Sequence, residues 1–186
     1  MKKSNFLKVS IFIFTLFIGQ TYFAQKTKMV GGAEMFPSKN IIENAVNSKD
    51  HTILVAAVKA ADLVATLSGD GPFTVFAPVN KAFEMLPEGT VATLLKPENK
   101  KQLQTILTYH VVAGKVSAAD LIKMIKDNDG KVDIETVSGG TITAWMKDKK
   151  VYISDENGGK AVVTIADVNQ SNGVIHVIDS VLLPKS

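Results

Sequence analysis

The chain has 186 residues and no cysteine, and its 21 lysine and arginine residues face 18 aspartate and glutamate residues. Three lysines and no acidic residue fall within residues 1–24, so the remainder carries 18 of each and is formally neutral. This balance argues against nucleic acid as a partner, and the lack of cysteine excludes both disulfides and a lipidated N-terminal cysteine.

The N-terminus has the composition of a secretory signal peptide. Lysines follow Met1, and a largely apolar run extends from Val9 to Ile18. That run has the length of a signal-peptide core, ~7–15 residues, rather than the ~20 residues that span a bilayer. We therefore expect residues 1–24 to be cleaved near Ala24 and the protein to be secreted or extracytoplasmic, either periplasmic or associated with the cell surface. An uncleaved membrane anchor is the alternative; with cleavage, membrane contact is only transient, through the signal peptide.

The next segment, residues 25–37, begins with polar residues and contains a glycine pair and a proline, which predicts a flexible leader. Residues 38–186 are then expected to form one domain, since a chain of this length can build its own core. Helical spacings of apolar residues begin at residue 41 and recur along residues 52–61.

A strand is predicted at Phe73–Ala77 because β-branched and aromatic residues alternate there. Further helices are expected after Asn80, Thr90 and Pro97. Beyond a short helix from Ala118 to Ile125, the pattern changes to strands separated by glycine-containing turns; these strands are expected at residues 132–137, 141–146, 150–154, 161–165 and 174–183. Helices in the first half and strands in the second predict an α+β class.

Three motifs, in the same order, resemble those of the fasciclin domain family. They are Phe73–Phe83, Leu107–Val116 and Asn172–Pro184, and the resemblance extends over about residues 38–184. One departure is Val79, where the family usually has threonine. The resemblance implies a wedge-like β-sandwich with helices packed along one side.

The resemblance also implies a function, because fasciclin domains are extracellular adhesion and matrix modules. We therefore expect a non-enzymatic module that binds a cell-surface or matrix protein or a glycan. Neither the Gly-x-Ser-x-Gly nor the His-Glu-x-x-His motif of hydrolases occurs. A carrier of small extracellular ligands, or an enzyme with a cleft between helices and sandwich, remains the alternative.

Two pairs of residues are the candidate binding determinants. The resemblance places Tyr109 and His110 in a patch implicated in cell-surface binding in animal relatives. Alternatively, His110 ends the apolar helix face that begins at Leu103 and has a structural role, which we prefer. Asp167 and Val168 occupy the place of an aspartate–aliphatic pair in an integrin-binding motif of those relatives. Here too the preferred interpretation is structural, a loop aspartate that caps a turn.

The other histidines are not expected to form a metal site. His51, His110 and His176 are 59 and 66 residues apart, whereas zinc sites usually take two ligands from a short spacing. His176 is expected to be structural within a strand, and His51 to occupy a solvated capping position. No catalytic residue, metal or cofactor is predicted.

Overall fold

The computed structural model describes residues 26–185, so the predicted signal peptide and its cleavage site lie outside the described residues. The α-helices are α1 (Ile41–Ala45), α2 (Thr52–Ala60), α3 (Val64–Ser68), α4 (Asn80–Glu84), α5 (Thr90–Leu94), α6 (Lys100–Tyr109) and α7 (Ala118–Asp127). The strands are β1 (Lys28–Val30), β2 (Ala33–Met35), β3 (Phe73–Pro78), β4 (Val111–Ala113), β5 (Lys131–Glu135), β6 (Thr141–Lys147), β7 (Lys150–Ser154), β8 (Lys160–Gln170) and β9 (Gly173–Ile178). Short 3₁₀ helices cover Lys49–His51 and Pro97–Asn99.

Seven strands form one mixed, nearly closed sheet in the order β4-β3-β9-β8-β7-β6-β5, and the helices pack on it. The β3–β9 pair is parallel, and the other neighbouring pairs are antiparallel. The start of β8 pairs with β7 and the rest with β9, with two register shifts along the way. Such irregularities bend a strand, which helps the single sheet to curve until it is nearly closed. The α+β class is confirmed.

Two apolar clusters form the core. The first lies between α2, α6 and the central strands and includes Val58, Leu107 and Ile175. The second packs α7 against β5, β6 and β7 and includes Leu121 and Ile142. Helices α6 and α7 are amphipathic, with buried apolar residues recurring every three or four positions, which explains how each covers one part of the sheet.

The expectation of a flexible leader is wrong for most of residues 25–37. Strands β1 and β2 form an antiparallel hairpin around Gly31-Gly32, both of which have positive φ angles. The side chains of Val30 and Met35 are buried in the first apolar cluster. The glycine pair therefore forms a tight turn, and the apolar residues on either side of it anchor the hairpin to the core.

The turn at Asn172-Gly173 joins three parts of the fold. The Asn172 amide donates to the carbonyl oxygens of Leu67 and Gly69, both at 2.9 Å, and its oxygen accepts from the Ile41 N–H at 3.0 Å. A Cβ atom on Gly173 would lie 2.1 Å from the Phe73 carbonyl oxygen. Only glycine allows β9 to approach β3 this closely, which explains the residue pair at the start of this motif.

Candidate functional site

His110 follows the last residue of α6 and is 3% exposed. Its Nδ1–H donates to the Ile106 carbonyl oxygen at 2.8 Å, while Nε2 accepts the Leu182 N–H at 3.0 Å. These partners assign a neutral ring with the proton on Nδ1. Burial lowers the pKa of His110 to about 4, although the Ile106 hydrogen bond and the Asp155 charge oppose the shift. The ring therefore ties helix α6 to the C-terminal segment.

Tyr109 is fully buried, so it is not available to a partner protein. Its hydroxyl donates to the Thr141 carbonyl oxygen at 2.6 Å and accepts from the Glu156 N–H at 3.2 Å. Burial raises the pKa of Tyr109 to about 12, and the Glu156 N–H opposes this shift in part. The side chain thus joins the end of α6 to the start of β6 and to the loop after β7.

Asp167 and Val168 lie within β8, at one of its register shifts. Val168 is 1% exposed and belongs to the first apolar cluster. The Asp167 carboxylate accepts the Ala118 N–H at 2.8 Å, at the start of α7. A carboxylate at a helix N-terminus satisfies a free backbone donor and interacts favourably with the helix dipole. The structural role preferred for Asp167 agrees with this contact, but the predicted details are wrong, because Asp167 lies in a strand and not in a loop, and its carboxylate caps a helix and not a turn.

The side chain of His176 is fully buried in β9 and stacks on Phe76 with 5.6 Å between ring centroids. Its Nε2–H donates to the Val116 carbonyl oxygen at 2.9 Å, and its Nδ1 accepts the Asp167 N–H at 3.2 Å. Desolvation lowers the pKa of His176. The structural role expected for His176 therefore agrees with these contacts.

The expected solvated position of His51 is wrong, because this residue is 4% exposed. Its Nδ1 lies 2.8 Å from the Ser48 hydroxyl, and its Nε2 has no hydrogen-bond partner among the described residues. Burial lowers the pKa of His51, and the nearby Ala77 carbonyl and Asp50 carboxylate oppose this shift. In the 3₁₀ helix Lys49–His51 only His51 is buried, which sequence spacing does not reveal.

A small cavity of about 50 Å³ lies between the helices and the central strands. Its walls are almost entirely apolar, and His51 and His110 contribute to the lining. A water molecule occupies about 30 Å³ in the liquid and needs two to four polar partners in a protein interior. The cavity therefore has room for very small ligands and offers them few hydrogen bonds. Among residues 26–185, no cluster of three or more histidine or acidic side chains is arranged to hold a metal ion.

The sequence model of the fasciclin domain family matches residues 49–184 of this chain. The chain belongs to this family. It is 49% identical over 160 residues to Protein sll1483 of Synechocystis, covering 86% of this chain and 82% of that protein. It is 33% identical to transforming growth factor-beta-induced protein ig-h3 of Sus scrofa, over 80% of this chain but only 20% of that protein.

A solved structure supports the fold of this fasciclin domain. It is a fasciclin domain pair from the insect cell adhesion molecule fasciclin I, with a TM-score of 0.70 and 21% identity. The similarity covers 78% of this chain and 51% of the other. The fasciclin-type α+β fold expected from the three motifs is confirmed. Among the described residues, no helix is long and apolar enough to cross a membrane.

The fasciclin fold does not bring the two predicted pairs together into one exposed site. Asp167 contacts His176, which stacks on Phe76, and the Phe76 N–H donates to the His110 carbonyl oxygen at 2.9 Å. This chain of contacts runs through the protein interior. Tyr109, His110 and Val168 are all buried, which leaves Asp167 as the one candidate of the four that is partly exposed.

Motif comparison alone missed a partly exposed aromatic pair on the outer face of the sheet. Trp145 in β6 lies opposite Tyr152 in β7, and the two rings stack with centroids 4.5 Å apart. Exposed lysines surround the pair, and one of them, Lys160, has its Nζ 5.7 Å from the centre of the Trp145 ring. Alternation along β6 could have revealed this face, because Thr141, Thr143, Trp145 and Lys147 occupy every second position.

Replacing Asp167 with alanine is expected to reduce the free energy of unfolding by about 1–2 kcal/mol. The variant loses the hydrogen bond to Ala118, and alanine disfavours the positive φ of 53° at this position. Asp167→Asn is the matched control: it keeps an acceptor oxygen, tolerates that φ and removes only the charge. Urea denaturation of both variants measures the difference. Normal stability of Asp167→Asn with complete loss of partner binding would instead assign Asp167 a direct contact.

Proposed function

We propose that this fasciclin domain is a secreted, non-enzymatic module that binds components of cell surfaces or the extracellular matrix. The single observation that carries the proposal is the family match over residues 49–184. A further support is the similarity in fold to a chain described as an insect cell adhesion molecule. The titratable side chains of Tyr109, His110 and His176 are buried and hydrogen-bonded to backbone groups, which favours a structural use of those groups over catalysis.

The secreted location in this proposal rests on the N-terminus, which has the composition of a secretory signal peptide. We expect the protein to be exported, cleaved near Ala24, and found in the periplasm, at the cell surface or in the medium. Sequencing the N-terminus of the protein from each fraction checks this. A chain that still begins at Met1 and stays with the membrane fraction would replace the secreted module with an anchored one.

The contact with a partner is expected elsewhere on the exposed surface, because the side chains of Tyr109 and His110 are buried. Protein interfaces gain most of their binding energy from a few aromatic and cationic side chains that are accessible before binding. The described part of this chain carries such side chains on the strands that follow α7. The adhesive function therefore does not require the buried tyrosine–histidine pair to be exposed.

A retention assay tests the adhesive function. The exported protein, coupled to beads, is expected to retain matrix proteins, glycans or whole cells above the level of beads coupled to an unrelated neutral protein. The same preparation is assayed before and after thermal unfolding, so that retention is tied to the folded domain. Equal retention by both bead types across all three classes of partner would refute the adhesive function.

A carrier of small ligands remains the second candidate, and the apolar cavity is the observation that favours it. At about 50 Å³, this cavity is smaller than the engineered cavity of about 150 Å³ that binds benzene in another protein. A larger ligand would therefore require the helices to move apart. Native mass spectrometry of the exported protein distinguishes the candidates, because a carrier is expected to copurify with a ligand of defined mass.

A further inference from the structure

We propose that the outer face of strands β5 to β8 binds a carboxylated polysaccharide, an inference that deepens and rests on the proposed adhesive function. We call this surface the aromatic–lysine face and define it by six residues: Lys131, Trp145, Lys147, Lys150, Tyr152 and Lys160. It is separate from the fasciclin motifs and from the buried tyrosine–histidine pair.

Strand register assembles this face. Lys131 pairs with Trp145, Trp145 pairs with Tyr152, and Lys147 pairs with Lys150. Paired residues in antiparallel strands share a side of the sheet, and residues two apart along a strand share it as well. The intervening residues Ile142, Ala144, Val151 and Ile153 are buried in the second core cluster. Lys160 pairs with Ser154, two residues beyond Tyr152, so all six side chains lie on the opposite, solvent side.

The charges on this face are available for a partner. All four of its lysines are exposed, and the ion pairs within residues 26–185 join other residues, Lys100 to Asp62 and Lys123 to Asp127. Lys147 and Lys150 close the hairpin, and the turn between them adds the exposed Asp148 and Lys149, so three lysines accompany one aspartate at this end of the sheet. This end of the sheet is therefore basic on a chain that is neutral after residue 24, which predicts a negatively charged partner.

The spacing of the charges favours a glycan over a nucleic acid. Lys150 begins β7, and Ser154, which pairs with Lys160, lies four positions further along the strand. The basic face therefore extends over roughly 14 Å in the strand direction. Four lysines over that length form a sparse basic surface, which suits a polymer of low charge density. Double-stranded DNA carries a charge every ~1.7 Å and favours a denser basic surface. The exposed Asp133 and Glu135 on the same side lower the net positive charge of the face, which disfavours a densely charged polyanion more than a sparsely charged one.

The aromatic pair supplies the second element of recognition. Both rings are partly exposed and stacked, with an angle of 18° between their planes, so they present a rigid apolar surface between the lysines. The Trp145 indole N–H donates to the Ser154 hydroxyl at 2.9 Å, which fixes the orientation of that ring. The C–H groups of a sugar ring can pack on such a surface while its carboxylate reaches a lysine. Carboxylate and apolar ring face together define a uronate-type sugar.

Titration calorimetry of the exported protein with polygalacturonate tests the proposal. The wild type is expected to bind at low salt and to bind more weakly as salt is raised. Replacing both Lys147 and Lys150 with glutamine is expected to weaken binding about tenfold, and Trp145→Ala at least as much. The matched control changes two exposed lysines outside this face, Lys96 and Lys101, to glutamine and is expected to leave binding unchanged.

Several outcomes would overturn the proposal. These are no binding of polygalacturonate, equal loss in the control variant, or equal or tighter binding of dextran sulfate, double-stranded DNA, or phosphatidylserine vesicles. Equal binding of neutral dextran would remove the role of charge and has the same consequence. If beads carrying the Lys147/Lys150 variant retain matrix or cells as well as the wild type does, the adhesive function stands and only the aromatic–lysine face is refuted. Failure of wild-type beads to retain anything refutes the adhesive function itself.

Discussion

Replacing His110 with alanine is expected to reduce the free energy of unfolding by about 4 kcal/mol. The variant leaves a void where a ring lies at 3% exposure, and it leaves the Leu182 N–H without its acceptor in a buried position. For a domain of this size, such a loss corresponds to a fall in melting temperature of roughly 12 °C. Calorimetry or thermal circular dichroism measures it directly.

Partner binding by the same variant, measured well below its melting temperature, is expected to change far less than stability. His110→Gln serves as the control, because an amide can both donate and accept a hydrogen bond and is expected to recover part of the lost stability. An unchanged melting temperature together with abolished adhesion would reverse the assignment and make His110 a contact residue. The result therefore separates a structural histidine from an adhesive one.

Acid is expected to destabilise the folded domain through the same residue. The pKa of His110 is about 4 in the folded state against about 6.5 when unfolded, so the unfolded chain binds more protons between these values. Stability is fully present above about pH 6.5 and falls as the pH decreases towards 4. A shift of this size corresponds to a loss of about 3 kcal/mol. The lowered pKa values of His51 and His176 act in the same direction.

Urea denaturation at a series of pH values from 7.5 to about 4.5 measures this loss, because most carboxylates remain ionised across that range. Nuclear magnetic resonance of the His110 ring protons provides the site-specific check, with a midpoint expected near pH 4. A midpoint near 6.5, or stability that is flat from pH 7 to 5, would contradict the neutral, doubly hydrogen-bonded ring.

The motifs predicted the fold well because they are determined by local chemistry. The strand at Phe73, the turn at Asn172-Gly173 and helix α6 depend on residue alternation, on a glycine and on apolar spacing. The N-terminal end of the domain was harder to predict. The segment 28–35 has the composition of a loop, and only the packing of Val30 and Met35 against the core makes it a hairpin.

The role of an individual polar residue could be predicted from the sequence only where that role is an ordinary structural one. Asn80 lies at the start of helix α4, where an asparagine commonly caps its own helix, yet its side-chain oxygen accepts the N–H of Ile53 in helix α2, 27 positions away. His51 is adjacent to an aspartate and looks solvated in the sequence, yet the chain buries it. A side chain's partners depend on long-range packing, which no local pattern encodes.

The sequence by itself determined the family, the α+β class, the order of the main elements and the neutrality of the chain beyond residue 24, since these depend on composition and short-range pattern. The tertiary structure alone decided which motif residues are accessible. Burial of Tyr109, His110 and Val168 follows from α6, the C-terminal segment and β8 packing around them. The aromatic–lysine face likewise exists only through strand register, because pairing places Lys131, Trp145 and Tyr152 side by side although they are distant along the chain.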